Sequence, residues 1–223
     1  MSDLAPQMIF TDQGLISYDK ALLFQEELVE KRHQHEVPDT VIFCSHPPVV
    51  TLGRSTQAQD VQEWQGDVVH VSRGGRATYH GPGQRIIYPI IDLRQEGRKK
   101  IRPKDVMSYL ETFELAVLET LKEVGLSDVH LKEDVTWDEQ GKKLLNRGIW
   151  IADKKVAAFG IAVRKWITYH GCAINLTRDA ASFQGIQPCG YSTNAVGYIE
   201  DFLNLSDLNL DQTLQEKMLS LMS

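Results

Sequence analysis

The chain has 223 residues, 42% hydrophobic and 24% charged, with 24 Lys+Arg against 30 Asp+Glu and a net charge of −6. These are globular proportions that exclude wholesale disorder, and the acidic balance argues against a nucleic-acid partner held by bulk charge. Three cysteines, Cys44, Cys172 and Cys189, form no CxxC pair and no zinc spacing, which excludes a disulfide scaffold and gives no metal site.

The first residues, MSDLAPQMIF, carry no basic segment followed by an apolar one, so no secretory leader is expected. No apolar run approaches the ~18 residues of a membrane helix. A cytoplasmic, monomeric protein in a reducing compartment is the expectation. Leu22, Leu23, Leu28 and Val29 repeat at helical spacing within Asp19–Arg32. Thr40–Cys44 reads as a buried strand, with Val49–Leu52 as its continuation or partner, ending at Gly53. Val68–Ser72 is a further strand and leads into a glycine-rich stretch, Arg73-Gly-Gly-Arg-Ala-Thr-Tyr-His-Gly-Pro-Gly-Gln84, after which Ile86–Leu93 resumes a strand.

Pro103 is placed to open a helix running to about Val124, stopped by Gly125. The period then becomes two, over Val129–Leu131, Val135–Trp137, Gly148–Ala152, Lys155–Val163 and Ile167–Asn175, with a tight turn at Asp153-Lys154. Val196–Leu205 and Leu210–Leu221 read as helical. Strands interleaved with helices predict an α+β chain, a mixed sheet with flanking helices, and residues 1–223 are read as one domain.

Four segments can carry chemistry. In the glycine-rich stretch, glycines let backbone approach a ligand while Arg73 and Arg76 offer charge. It matches no dinucleotide or phosphate-loop pattern, and an ordinary turn between strands is the plainer reading. In Lys155–Val163, alternation puts Lys155, Ala157, Phe159, Ile161 and Val163 on one face, and Val156, Ala158, Gly160 and Ala162 on the other. Small residues there suit something lying flat on the strand, or close packing. Ile167–Asn175 brings His170 beside Gly171, where a hydrogen-bonded structural histidine is the common case. In Gln187-Pro-Cys-Gly-Tyr191 the turn can expose Cys189, a competent nucleophile when a base lies near. Cys44 reads as core and Cys172 as intermediate.

Taken together, Arg73-Gly-Gly with Thr78-Tyr-His-Gly-Pro-Gly-Gln84, then Lys155–Gly160, His170-Gly-Cys-Ala-Ile-Asn175 and Pro188-Cys-Gly190, resemble the lipoyl(octanoyl) transferases, in order and spacing, from about His46 to Tyr191. The resemblance implies the biotin/lipoate protein ligase-like catalytic fold. It also implies transfer of an octanoyl group from octanoyl-acyl carrier protein to a lipoyl domain of a 2-oxoacid dehydrogenase or of glycine cleavage H protein, as the first step of lipoate assembly. No cofactor is implied. Cys189 would be the nucleophile and Lys155 its activating partner. Arg73, Gly74, Gly75, Arg76, Ala77, Thr78, Tyr79 and His80 would line the acyl groove with Ala158, Phe159, Gly160, Gly171, Cys172 and Ala173. His80 and His170 would position the carbonyl or orient Lys155.

Two positions depart from the family pattern: Asn146-Arg147-Gly148 stands where a Pro-Gly-Val-like step is usual, and Cys172 replaces a bulkier apolar residue. The acidic partners expected call for a locally basic docking surface, either Arg98-Lys-Lys100 with Arg102 and Lys104, or Arg54 with Arg73 and Arg76. The competing readings are an ATP-dependent lipoate ligase, an octanoyl amidotransferase acting between lipoyl-type proteins, and a non-catalytic acyl-binding protein.

Overall fold

Runs rich in Val, Ile and Phe form the strands here, and apolar positions three to four apart form the helices. The computed structural model describes residues 8–137, 141, 143–186 and 193–223. In chain order they give β1 (Met8–Leu15), α1 (Tyr18–His33), β2 (Asp39–Ser45), β3 (Val49–Leu52), β4 (Asp67–His70), β5 (Thr78–His80), β6 (Gln84–Ile90), α2 (Val106–Glu123), β7 (Val129–Trp137), β8 (Lys143–Ile151), β9 (Lys154–Arg164), β10 (Ile167–Asn175) and α3 (Leu210–Met222). Seven strands make a mixed sheet in the order β1-β2-β6-β10-β9-β8-β7, and β4-β3-β5 make a second sheet.

The large sheet is covered on both faces. On one, Val41, Phe43, Ile87, Ile149, Ala157 and Cys172 pack against Tyr109, Phe113, Val117 and Leu121 of α2 and Leu214 and Met218 of α3. On the other, Ile42, Cys44, Ile86, Tyr88, Ala162, Tyr169 and Ala173 meet Ala21, Leu28 and Val29 of α1. The α+β expectation holds.

Four details differ from the sequence reading. β3 neither continues nor pairs with β2; it leaves after Pro47-Pro48 and joins the small sheet. Helix α2 begins at Val106 rather than Pro103, because Lys104 takes a left-handed φ of 54°. Asp105 is the cap, accepting from the Ser108 N–H at 3.0 Å. Val129–Trp137 is one continuous edge strand. Val196–Leu205 is not an α-helix but irregular chain with short 3-10 turns such as Ile199–Asp201.

The basic run at Arg98 also divides. Arg98 is buried, its guanidinium on Asp39 and donating to Met222 O at 2.7 Å, so among these residues the exposed cations are Lys99, Lys100, Arg102 and Lys104.

One irregularity sets up the site. β8 pairs with β9 only from Gly148↔Ala158 to Ile151↔Lys154, while β9 runs on to Arg164. Beyond Gly148 the two strands part. The glycine-rich stretch then reaches the β9 edge, where Gly74 N–H donates to Ile161 O at 3.1 Å.

Candidate functional site

A cavity of about 670 Å³ opens where β8 and β9 separate, a volume ordinary for a small-molecule site. Its walls are the glycine stretch (Arg73, Gly74, Gly75, Thr78, His80), β9 from Ala158 to Val163, and β10 from Tyr169 to Ala173. Val106, Met107 and Leu110 of α2 close one side, and Lys155 stands at its margin. Of the groove residues named from the sequence, Arg73, Gly74, Gly75, Thr78, His80, Ala158, Phe159, Gly160, Gly171, Cys172 and Ala173 lie on this wall. Arg76, Ala77 and Tyr79 stand behind it. Tyr79 belongs to the core of the small sheet with Phe183 and donates to Asp179 Oδ1 at 2.6 Å.

The orientation of Lys155 depends on a bulge. Ile149 pairs with Ala157 but Trp150 pairs with Lys155, so Val156 is the extra residue. The bulge breaks the expected alternation: Lys155 leaves the face of Ala157 and joins that of Gly148, Ala158 and Gly160. Its stem passes so close over Gly148 that a Cβ there would lie 2.2 Å from Lys155 Cε. Across the ladder, Gly171 pairs with Gly160 and Ala173 with Ala158. Lys155 thus shares one sheet face with a row of residues having little or no side chain.

Arg73 and Arg76 are interior groups. Arg73 is 6% exposed; it donates to Thr51 O and Oγ1 at 2.9 and 2.7 Å and to Gly74 O and Arg76 O at 3.0 and 2.9 Å. Its stem crosses Gly160, where a Cβ would meet Arg73 Cδ at 2.8 Å. It therefore braces the glycine stretch against β9. Arg76 is paired with fully buried Asp60, its Nε donating to Oδ2 at 3.0 Å. Of the proposed docking trio only Arg54 is exposed. Removing one partner of a buried pair strands the other charge, so Asp60→Ala should lower unfolding free energy by about 3–5 kcal/mol in urea titration.

A buried cluster of rings from separate segments of the sequence adjoins the wall. His46 Nδ1 donates to Ile16 O at 2.7 Å and its Nε2 accepts from Tyr88 Oη at 2.9 Å. Tyr18 stacks on His80 with centroids 5.8 Å apart. His170 Nδ1 lies 3.4 Å from Tyr18 Oη and its Nε2 3.3 Å from Ser72 Oγ. A φ of 56° at His170 turns its ring to the side of Tyr169, on which it stacks at 4.7 Å. Its N–H, opposite Pro89, is taken by Gln25 Oε1 at 2.8 Å.

Burial disfavours the imidazolium at all three histidines. His46 is lowered, His80 is well below the ordinary value with neighbouring His46 adding to the effect, and His170 falls to about 3 with Arg73 assisting. The sign for stability follows: the unfolded chain binds protons at these sites below its pKa near 6.5, while the folded chain does not. Stability should be complete above that pH and fall as pH drops toward 3. His170 alone contributes a loss of about 2 kcal/mol at pH 5, checked by denaturant titration at pH 5 and 8.

Cys189, with residues 187–192, lies outside the described residues. The chain on either side is tied down. Ile186 bridges Val61, and Val196 bridges Lys155, with Gly197 N–H donating to Lys155 O at 2.9 Å. Burial pushes the Cys44 thiol up to about 12 and the Cys172 thiol well above its ordinary value, so both stay protonated near pH 7. Among the described residues no group of three His, Cys, Asp or Glu could hold a metal ion, and no helix is long and apolar enough to cross a membrane.

Comparison with known proteins places these features in a family. Residues 17–220 match the lipoyl protein ligase A/B catalytic domain. The octanoyltransferase of Bdellovibrio bacteriovorus is 45% identical over 193 residues, 86% of this chain and 88% of that protein. That of Anaplasma marginale is 35% identical over 210 residues, 92% and 90% of the two chains. Among solved structures, a lipoate-protein ligase A bound with ATP superposes with a TM-score of 0.67 at 17% identity, covering 98% of this chain and 86% of the other. A bipartite lipoate protein ligase from Thermoplasma acidophilum gives 0.61 at 16% identity, over 97% and 83%. At these identities the solved structures speak to the fold alone, which is that of the lipoate ligases.

Proposed function

This chain belongs to the lipoyl protein ligase A/B catalytic domain family, and from that premise we propose that it moves an octanoyl group from acyl carrier protein to a lipoyl-domain lysine through a thioester on Cys189. It is an acyltransferase, as its octanoyltransferase relatives are named. The observation that carries the detailed reading is the bulge at Val156, which turns Lys155 onto the small-residue face beside the cavity. The chain seven residues past Cys189 is held at the Lys155 backbone.

In the first half-reaction Cys189 Sγ attacks the carrier thioester. The carrier's C–S bond breaks, and the carrier thiol leaves with the proton that Lys155 took from Cys189. A free thiol is only a few per cent ionised at pH 7, so this assistance matters. In the second, a lipoyl-domain amine attacks the acyl carbon. The C–N bond forms, the Cys189 C–S bond breaks, and one proton passes from nitrogen to sulfur through Lys155. Thioester exchange is nearly isoenergetic and amide formation from a thioester runs downhill, so neither step requires a nucleotide. Enclosing the six methylenes of an octanoyl chain contributes roughly 5 kcal/mol. Residues 1–223 act as one catalytic unit in the cytoplasm, on lipoyl domains of 2-oxoacid dehydrogenases or of glycine cleavage H protein.

The ATP-dependent ligase reading needs cations available to phosphates. Arg73 and Arg76 direct their guanidiniums at Thr51, backbone carbonyls and Asp60, which leaves Arg54, Arg147 and Lys155 as the further cations on the cavity wall. The discriminating assay mixes enzyme, octanoyl carrier protein and lipoyl domain without nucleotide. Full modification of the lipoyl lysine is expected; modification that requires ATP and free octanoate would reject the transferase reading.

A further inference from the structure

We propose that His80 receives the incoming amine in the second half-reaction, its Nε2 accepting the N–H that the product amide keeps. The inference rests on the octanoyl-transfer reading and adds a residue for the acceptor side.

A chain of hydrogen bonds fixes the state of the His80 ring. Asn175 Nδ2 donates to Gly197 O at 3.0 Å and to Lys155 O at 3.4 Å, which turns its Oδ1 toward Gln84. Gln84 Nε2 donates to that oxygen at 2.9 Å and to Tyr79 O at 3.3 Å. Gln84 Oε1 is thereby left facing His80 Nδ1 at 3.2 Å. An amide oxygen only accepts, so the network assigns the ring hydrogen to Nδ1 and a lone pair to Nε2. Tyr18 stacked on one side and His46 edge-on at 5.9 Å hold the ring in the cavity wall.

A lone pair selects its ligand. It cannot donate to the thioester carbonyl. The alkyl chain and the thioester have no N–H to offer. The group that must bring N–H to the acyl carbon is the lysine amine. That neutral amine has two hydrogens: one leaves nitrogen for sulfur through Lys155, and the other stays in the amide and can point at Nε2 throughout. His80 neither gains nor loses a proton, which suits an imidazole held neutral by burial. Asn175 ties the same network to the Lys155 main chain, so the two groups that meet the amine share one rigid support.

The test separates the half-reactions. Wild type, His80→Phe and His80→Gln are acylated with octanoyl carrier protein, followed by intact mass, and chased with lipoyl domain or with hydroxylamine, a small nucleophile needing little positioning. His80→Phe is expected to slow transfer to lysine about 30-fold more than it slows acylation or the hydroxylamine chase. His80→Gln, which can present an oxygen near the place of Nε2, should recover part of the loss. Unchanged lysine transfer in His80→Phe would overturn the proposal. So would a parallel fall of all three rates in both variants, the mark of a merely structural ring. Absence of any acyl-enzyme in wild type would instead reject the octanoyl-transfer reading beneath it.

Discussion

Cys189→Ala is expected to lower kcat/KM by at least about 10⁴-fold, and Lys155→Ala by about 10³-fold, with the double variant no worse than Cys189→Ala alone. The non-additivity is the informative part, because a base has no task once its nucleophile is gone. A direct readout is alkylation of the thiol across roughly pH 6–9, the range of a free thiol's titration. Lys155→Ala should slow it at neutral pH and move its midpoint upward. The other two cysteines do not confuse the measurement: Cys44 and Cys172 are 0% and 2% exposed and held protonated by burial. Alkylation kinetics unaltered in Lys155→Ala would remove the lysine from the activating role.

Gly148→Ala should reduce turnover by about 10²-fold or more while leaving a folded enzyme. The added methyl would lie 2.2 Å from Lys155 Cε and 3.1 Å from its Nζ, and 2.7 Å from the Ala157 carbonyl oxygen. Displacing the lysine end relieves two of these contacts, while the third requires a local shift of β8 against β9, and both movements take the Lys155 nitrogen from its seat. Misplacing a reacting group by about 1 Å can cost 10²-fold. Combining Gly148→Ala with Lys155→Ala should add almost nothing to the loss from Lys155→Ala in steady-state assays. Full additivity would mean that the glycine serves only strand packing against Ala157.

The sequence carried the periodic elements well and the irregular ones poorly. α1, β2, β9, β10 and α3 were legible because their apolar positions repeat and their ends are marked by turn residues. The start of α2 was not, since nothing in Pro103-Lys-Asp105 announces a left-handed φ at Lys104. For the site, Lys155–Val163 is small or apolar at nearly every position, so its pattern has no phase, and a bulge that flips Lys155 leaves no trace in it. The arginines look alike as letters, yet Arg73 and Arg76 are buried braces because of acceptors at Thr51 and Asp60, 22 and 16 residues away. The ring cluster joins Tyr18, His46, His80, Tyr88 and His170 from five separate elements and connections. Only the folded sheets bring them together. Gln84 and Asn175 did end two of the segments that carry the family resemblance, and their place in the His80 network is the signal those positions held.

The most direct test of the account is intact-mass analysis of the enzyme after incubation with octanoyl carrier protein in the absence of nucleotide and of lipoyl domain. A shift of ~126 Da, mapped by proteolysis to Cys189 and lost in Cys189→Ala, is the predicted result for an octanoyl thioester on the nucleophile. An unmodified Cys189, in a preparation that still octanoylates the lipoyl domain, would contradict it.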